Sequence, residues 1–198
     1  MTNQYRSICG FCGSADGISE SYYHAAWEMG KLLAEKGITL VYGAGRTGMM
    51  GKLAEGALQA GGEVIGVVPL GLESPQLIYT TGLTNLETVS DIQARKARMI
   101  ELSDAFITLP GGFGTMDEMF EVLTWSQIGK HRKPCGFLNV NGYFDPLLEW
   151  IKRAYTDHFI YEEHLDLFVE DSTPLGLMEK LLAYQFPANI ERWLVRDE

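Results

Sequence analysis

A chain of 198 residues is long enough for one sizeable hydrophobic core, and its composition (46 % hydrophobic, 21 % charged) is that of a globular protein. The formal net charge of -10 excludes a nucleic-acid polymer as the expected partner, because no basic stripe exists to displace counterions. No apolar run reaches transmembrane length and no secretory leader is visible at the N-terminus, so no membrane partner and a cytoplasmic location are expected.

In chain order, Ser7 to Cys12 reads as a strand, followed by a turn from Gly13 and Ser14 to Gly17. Ile18 to Glu35 has helical periodicity and stops at Gly37. Thr39 to Tyr42 is a second strand. Gly43-Ala-Gly45-Arg-Thr-Gly48 then opens a helix to about Gln59. Glu63 to Val68 is a third strand, ended by Pro69. Gly71 to Gly82 is irregular, and such a segment at a strand's carboxyl end often covers a ligand. Leu83 to Val89 reads as a short strand and Asp91 to Leu102 as a helix. The apolar run from Ala105 to Leu109 predicts a strand buried on both faces. A turn from Pro110 to Gly114 and a further helix follow it. Cys135 to Val140, Phe144 to Phe159, Leu167 to Val169 and Pro174 to Tyr184 continue as strand, helix, strand and helix, before a polar tail. Short apolar strands alternating with helices predict parallel βαβ units with right-handed crossovers. The expected fold is therefore α/β: a single-domain, Rossmann-like, doubly wound parallel sheet with helices on both faces, its core spanning about residues 7–184.

Chemistry concentrates in two stretches. In Pro110-Gly111-Gly112-Phe113-Gly114-Thr115 three glycines remove Cβ atoms just where a helix begins. The first N–H groups of a helix lack partners and carry the positive end of its dipole, so this turn reads as a phosphate cradle. Thr115, Glu118 and Glu121 follow at three-residue spacing on neighbouring turns. Glu118 has two readings. It closes a capping box with Thr115 at the N-cap, or it acts on a bound sugar. In the preceding helix Ile92, Arg95, Met99 and Leu102 form an apolar stripe, with Arg98 toward its edge. Arg95 on that stripe either meets a bound anion or snorkels to a structural carboxylate. The Gly43–Gly48 turn matches G-x-G-x-x-G but follows the second strand, and no acid for a ribose hydroxyl ends the next one. All three glycine turns should lie at the carboxyl edge of one sheet, where open α/β sheets bind ligands. Cys9, Cys12 and Cys135 suit buried, reduced thiols, and the four histidines lack metal-ligand spacing, so no metal is expected.

These residues resemble the LOG (LONELY GUY) family of cytokinin riboside 5′-monophosphate phosphoribohydrolases, many of whose members carry the older label "possible lysine decarboxylase". The family's Pro-Gly-Gly-x-Gly-Thr-x-x-Glu motif stands from Pro110 to Glu118, and its Arg-Lys pair is Arg95-Lys96, followed by Met99. Its Phe-Cys-Gly-Ser turn is Phe11 to Ser14, and its second glycine turn runs from Gly43 to Gly51. The chain departs from the pattern at Gln93, where many members have His, and at Gly43-Ala44-Gly45-Arg46-Thr47, where they read Gly-Gly-Gly. The resemblance implies hydrolysis of the N-glycosidic bond of a nucleoside 5′-monophosphate to free base and ribose 5-phosphate. It assigns catalysis to Arg95 and Glu118. Substrate contacts fall to Gly13, Ser14, Gly43, Gly45, Lys96, Gly111, Gly112, Phe113, Gly114, Thr115, Met116, Asp117, Glu121 and Thr124. It further implies a homodimer with the site near the interface, and no cofactor. Three rivals remain at this stage, one of them a plain AMP-preferring nucleosidase, which the sequence does not separate from a cytokinin-activating enzyme. A pyridoxal-phosphate decarboxylase would need a Schiff-base lysine, for which Lys96 is the only lysine near the motifs. A non-catalytic nucleotide or cofactor carrier of the same fold would need no catalytic pair.

Overall fold

The computed structural model describes residues 5–190. Thirteen regular elements alternate along the chain: β1 (Ser7–Phe11), α1 (Glu20–Glu35), β2 (Thr39–Tyr42), α2 (Gly48–Gln59), β3 (Val64–Pro69), β4 (Asn85–Val89), α3 (Ile92–Glu101), β5 (Ala105–Thr108), α4 (Phe113–Gln127), β6 (Cys135–Leu138), α5 (Asp145–Thr156), β7 (Phe168–Asp171) and α6 (Pro174–Ala183). The strands form one parallel sheet in the order β4-β3-β2-β1-β5-β6-β7. This is the doubly wound arrangement that the alternation predicted. Each predicted strand and helix is present, with ends displaced by a few residues. The last eight residues of the polar tail lie outside the described residues.

Strand side chains alternate between two cores because successive Cβ atoms point to opposite faces. Ile8, Leu40, Tyr42, Ala105 and Ile107 pack with α1, α2 and α6. Cys9, Phe11, Val41 and Phe106 pack toward Met99 and Ile100 of α3 and Val122 of α4. Met119 of α4 meets Phe137 and Phe144 in a further cluster with Leu147 and Leu148 of α5. A strand buried on both sides needs apolar residues at every position, hence the continuous runs in the sequence.

Chain direction away from the sheet reverses between β1 and β5. The loops after these two central strands therefore part, and their carboxyl ends open a crevice. Gly13 N–H donates to Pro110 O (3.0 Å), which fixes the two loops side by side. The loop after β1 is also tied to α2: Met50 N–H donates to Gly13 O, Gly48 N–H to Asp16 Oδ1, and Thr47 Oγ1 to Ser14 O. Gly48 sits at φ +60 with its Cα against the Ser14 backbone, a position closed to any larger residue.

Candidate active site

The crevice is a cleft of about 450 Å³, within the range of small-molecule sites. Its floor is Cys12, Gly13, Ser14, Gly43 and Gly45. Gly112, Gly114 and Thr115 form one wall. The opposite wall is Met50, Val68 and Pro69, roofed by Leu72, Leu77 and Ile78. The irregular segment after β3 supplies that roof. It is docked on the second glycine turn by Arg46 N–H to Leu77 O, Tyr79 N–H to Ala44 O, and Arg46 Nη1 to Pro75 O.

Helix α4 begins at Phe113 with Gly112 as its N-cap, and no side chain caps it. Its first helical bond runs from Met116 N–H to Gly112 O, so the N–H groups of Phe113, Gly114 and Thr115 keep the unpaired state of a helix start. No acidic side chain occupies the first three positions. The three glycines divide their duties. A Cβ on Gly111 would overlap Thr115 Oγ1 and stand 2.7 Å from Gly13 N, so this glycine permits the loop contact. At Gly112 and Gly114 an added Cβ meets no protein atom within 4 Å, so these glycines keep the cradle open to a ligand.

The capping-box reading is corrected by this geometry. The helix starts two residues earlier than Thr115, which lies in the first turn, buried beneath Gly111, and closes no cap with Glu118. Glu118 instead pairs with Arg95, Nη1 to Oε1 at 3.2 Å, and both side chains are nearly buried (14 % and 11 % exposed). Arg95 is aimed by its surroundings. Asp91 caps α3 by accepting from Gln93 N–H and Ala94 N–H, and Arg95 Nε donates to Val67 O. Its Nη2 lies directly over Gly43, where a Cβ would overlap it. Arg98, one turn on, faces outward and grips Glu87 of β4 through Nε and Nη2. Burial pushes the Glu118 carboxyl above its ordinary range despite the Arg95 guanidinium beside it. Burial likewise raises the Cys12 thiol at the cleft floor, with the Glu118 carboxylate adding to the effect.

Most of the predicted residues thus fall in two places, with Gly111 and Phe113 in neither. Gly13, Ser14, Gly43, Gly45, Arg95, Gly112, Gly114, Thr115 and Glu118 line the cleft. Gly111 lies under its wall, and the Phe113 ring stands almost wholly in solvent (97 % exposed) at the start of α4. Lys96, Met116, Asp117, Glu121 and Thr124 gather instead in a shallow recess on another flank of α4, with Phe120 and Trp125. A three-residue step falls about 60° short of a full helical turn, so the row from Thr115 to Thr124 rotates out of the cleft. The recess is organised by Lys96, whose Nζ lies 3.0 Å from Asp117 Oδ2 and 3.3 Å from Glu121 Oε2. The apolar wall and roof (Met50, Val68, Pro69, Leu72, Leu77 and Ile78) escaped the sequence reading beyond the general expectation that 71–82 covers a ligand. Among the described residues no group of three potential metal ligands is present.

Fold and site together define a Rossmann-like α/β protein with an uncapped, glycine-rich helix start and a buried arginine–glutamate pair at the switch point of its sheet. Residues 50–181 match the family model described as "Possible lysine decarboxylase". The chain belongs to this family, the LOG family. It is 44 % identical over 184 residues to a probable cytokinin riboside 5′-monophosphate phosphoribohydrolase, LOGL6, of Oryza sativa subsp. japonica, covering 93 % of this chain and 73 % of the relative. It is 43 % identical over 182 residues to the rice protein named cytokinin riboside 5′-monophosphate phosphoribohydrolase LOG, covering 92 % and 75 %. Among solved structures the molybdenum cofactor binding protein of Rippkaea orientalis shares the fold, with a TM-score of 0.68 and 22 % identity over 90 % of this chain and 96 % of that one.

The older family label implies pyridoxal phosphate, and the residues present do not fit it. No lysine lines the cleft. A Schiff-base lysine must be able to lose its proton. Burial works against the charge on Lys96, but its hydrogen bonds to Asp117 and Glu121 prevail and hold the ammonium above its ordinary range.

Proposed function

We propose that this protein hydrolyses the N-glycosidic bond of nucleoside 5′-monophosphates, of the cytokinin or adenosine type, to free base and ribose 5-phosphate. The observation that carries the reading is the meeting, in one cleft, of an uncapped glycine helix start with a buried Arg95–Glu118 pair. The 5′-phosphate accepts hydrogen bonds from Phe113, Gly114 and Thr115 N–H, with Gly13 and Ser14 completing the floor. The ribose then lies across Glu118, and the base extends past Gly43 and Gly45 toward the apolar roof of Leu72, Leu77 and Ile78. The C1′–N bond breaks with its electron pair leaving on the base, and positive charge builds on the ribose. The Glu118 carboxylate stabilises that charge and accepts a proton from the water whose oxygen bonds to C1′. That proton returns to the departing base. Arg95 holds the carboxylate in place and supplies the cation beside the substrate.

The rice relatives' names support this chemistry over a carrier role, as does a carboxylate kept in a cleft against its desolvation cost. We further propose a homodimer in the cytoplasm. Three buried free thiols suit a reducing compartment. The apolar groove of Phe120, Leu123, Trp150 and Ile160, beside the exposed Phe159, suits a second copy. Sedimentation at micromolar concentration tests the assembly. The reaction is tested by incubating the protein with AMP, N6-prenyl AMP and the matching nucleosides and separating the products by chromatography. Base is released from the monophosphates, and kcat/KM for the nucleosides is lower by at least about 10²-fold, the loss of two charged hydrogen bonds. Equal kcat/KM for nucleotide and nucleoside sinks the phosphate-cradle assignment, and no base release sinks the enzyme.

A further inference from the structure

Glu118 is flanked in sequence by two more carboxylates, Asp117 and Glu121, on the same helix. Three acids within two turns repel one another, and Glu118 has the least access to solvent of the three. One cation answers the two flanking acids together. Lys96 is 7 % exposed, follows Arg95 directly in α3, and bridges Asp117 and Glu121 across the gap between α3 and α4. Adjacent residues of one helix thus meet alternate carboxylates of the other: Arg95 takes Glu118 inside the cleft, and Lys96 takes its neighbours outside. The Asp91 cap fixes where α3 starts and so sets the two cations as its fourth and fifth residues.

We propose that Lys96 is a positioning residue, whose ammonium neutralises Asp117 and Glu121 and so keeps the Glu118 carboxylate anionic and aligned with Arg95. This rests on the catalytic reading of Glu118 given above. The charged and titratable groups facing Glu118 are Arg95 and Lys96 from α3, Asp117 and Glu121 from α4, and the thiols of Cys9 and Cys12 from β1. Arg95 and Lys96 favour the ionised carboxylate, while burial and the two acids oppose it. Removing Lys96 leaves both acids uncompensated, so protonation of Glu118 moves to higher pH. A lysine that served packing alone would leave that titration where it stands.

The test compares wild type, Lys96→Met, Lys96→Arg and the triple variant Lys96→Met/Asp117→Asn/Glu121→Gln. Glu118 is titrated directly by NMR of the protein labelled with ¹³C at glutamate carboxyls, its resonance assigned by its loss in Glu118→Gln. The acid limb of kcat/KM is recorded in parallel. The second ionisation of the substrate phosphate is common to all variants and cancels from the comparison. In Lys96→Met the Glu118 titration and the acid limb both move upward by about half a pH unit or more. The triple variant, which lacks the clamp but also the repulsion, returns toward wild type, and Lys96→Arg stays near it. If Lys96→Met does not fold, Lys96→Gln takes its place in the series. A Glu118 titration unmoved by loss of Lys96, or moved and not restored in the triple variant, overturns the proposal. Because the NMR titration needs no turnover, it still decides the role of Lys96 if the wild-type protein releases no base, a result that overturns only the hydrolase reading.

Discussion

Replacing Gly114 by alanine sets the demands of the fold against those of the site. Gly114 is the second residue of α4, and a Cβ there meets no protein atom within 4 Å. The fold therefore gains from the change. Alanine in place of a helical glycine is worth up to about 1 kcal/mol, or roughly 2–4 °C in Tm for a chain of this size. The ligand loses. Gly114 lines the cleft, and its methyl group occupies the space through which a phosphate reaches the N–H groups of the first turn. Losing one charge-assisted hydrogen bond costs about 1.5–3 kcal/mol, which corresponds to a KM raised roughly 10- to 150-fold. Since the phosphate is held alike in ground and transition states, kcat should change far less. Differential scanning fluorimetry and steady-state kinetics on a nucleoside 5′-monophosphate supply the two numbers. A Tm that rises while KM stays at its wild-type value refutes the reasoning, because the phosphate would then sit elsewhere.

Three further substitutions probe the pair and the turns. Glu118→Gln keeps the side chain's shape and removes its charge beside Arg95. A carboxylate about 4 Å from a developing ribosyl cation is worth ~4 kcal/mol at an effective dielectric constant of about 20, and sharing with Arg95 roughly halves this, so kcat should fall roughly 30-fold. Its stability should show the opposite sign. The folded carboxyl titrates above the unfolded one, so wild-type Glu118 contributes stability at acid pH that is lost as pH rises through its raised folded pKa. The Tm of the glutamine variant relative to wild type should accordingly rise from pH 4 to pH 7, and a constant difference would contradict the desolvation argument. Gly43→Ala places a methyl group on the Arg95 guanidinium, which moves as a flexible side chain. Activity should drop at least about tenfold with less than about 1 kcal/mol of destabilisation by urea titration. Gly111→Ala meets backbone and the buried Thr115, so it should cost about 2 kcal/mol or more in the same titration, with activity lost alongside.

The fold was legible because its strands are buried on both sides. An apolar run such as Ala105 to Thr108 fits little else than a central parallel strand, and the order of the elements then places the glycine turns after β1, β2 and β5 at one edge. Arg95 was legible for a related reason, since a charge on an apolar stripe must find a partner. The fate of the Thr115–Glu121 row was not. Spacing by three reads as one face over a single step and drifts over two, and only the packed helix shows where the face leaves the cleft. The capping box stayed open beside the other reading of Glu118 because Thr115 and Glu118 match its spacing, whereas only the structure shows that the helix begins at Phe113 with Gly112 as its cap. At Ala44 the sequence showed a departure from Gly-Gly-Gly but not how it is borne. The residue adopts φ +62, and its buried methyl packs with Val68 and Ile78. Burying that methyl, worth about 0.8 kcal/mol, offsets much of the ~1–2 kcal/mol cost of a left-handed alanine.

The roof of the cleft has a consequence for how such proteins diversify. Leu72 and Leu77 face the cleft yet are half open to solvent, and the segment that carries them is secured to the Ala44–Arg46 turn chiefly through main-chain atoms. Main-chain anchors are indifferent to the side chains they carry. Mutation can therefore exchange these two leucines at little thermodynamic penalty, whereas a side chain at Gly43 or Gly111 would collide with Arg95 or with Thr115 and the Gly13 backbone. On the reading proposed above, with the base under this roof, a change of base preference would need only new side chains on an unchanged main-chain scaffold, leaving the Arg95–Glu118 pair as it is.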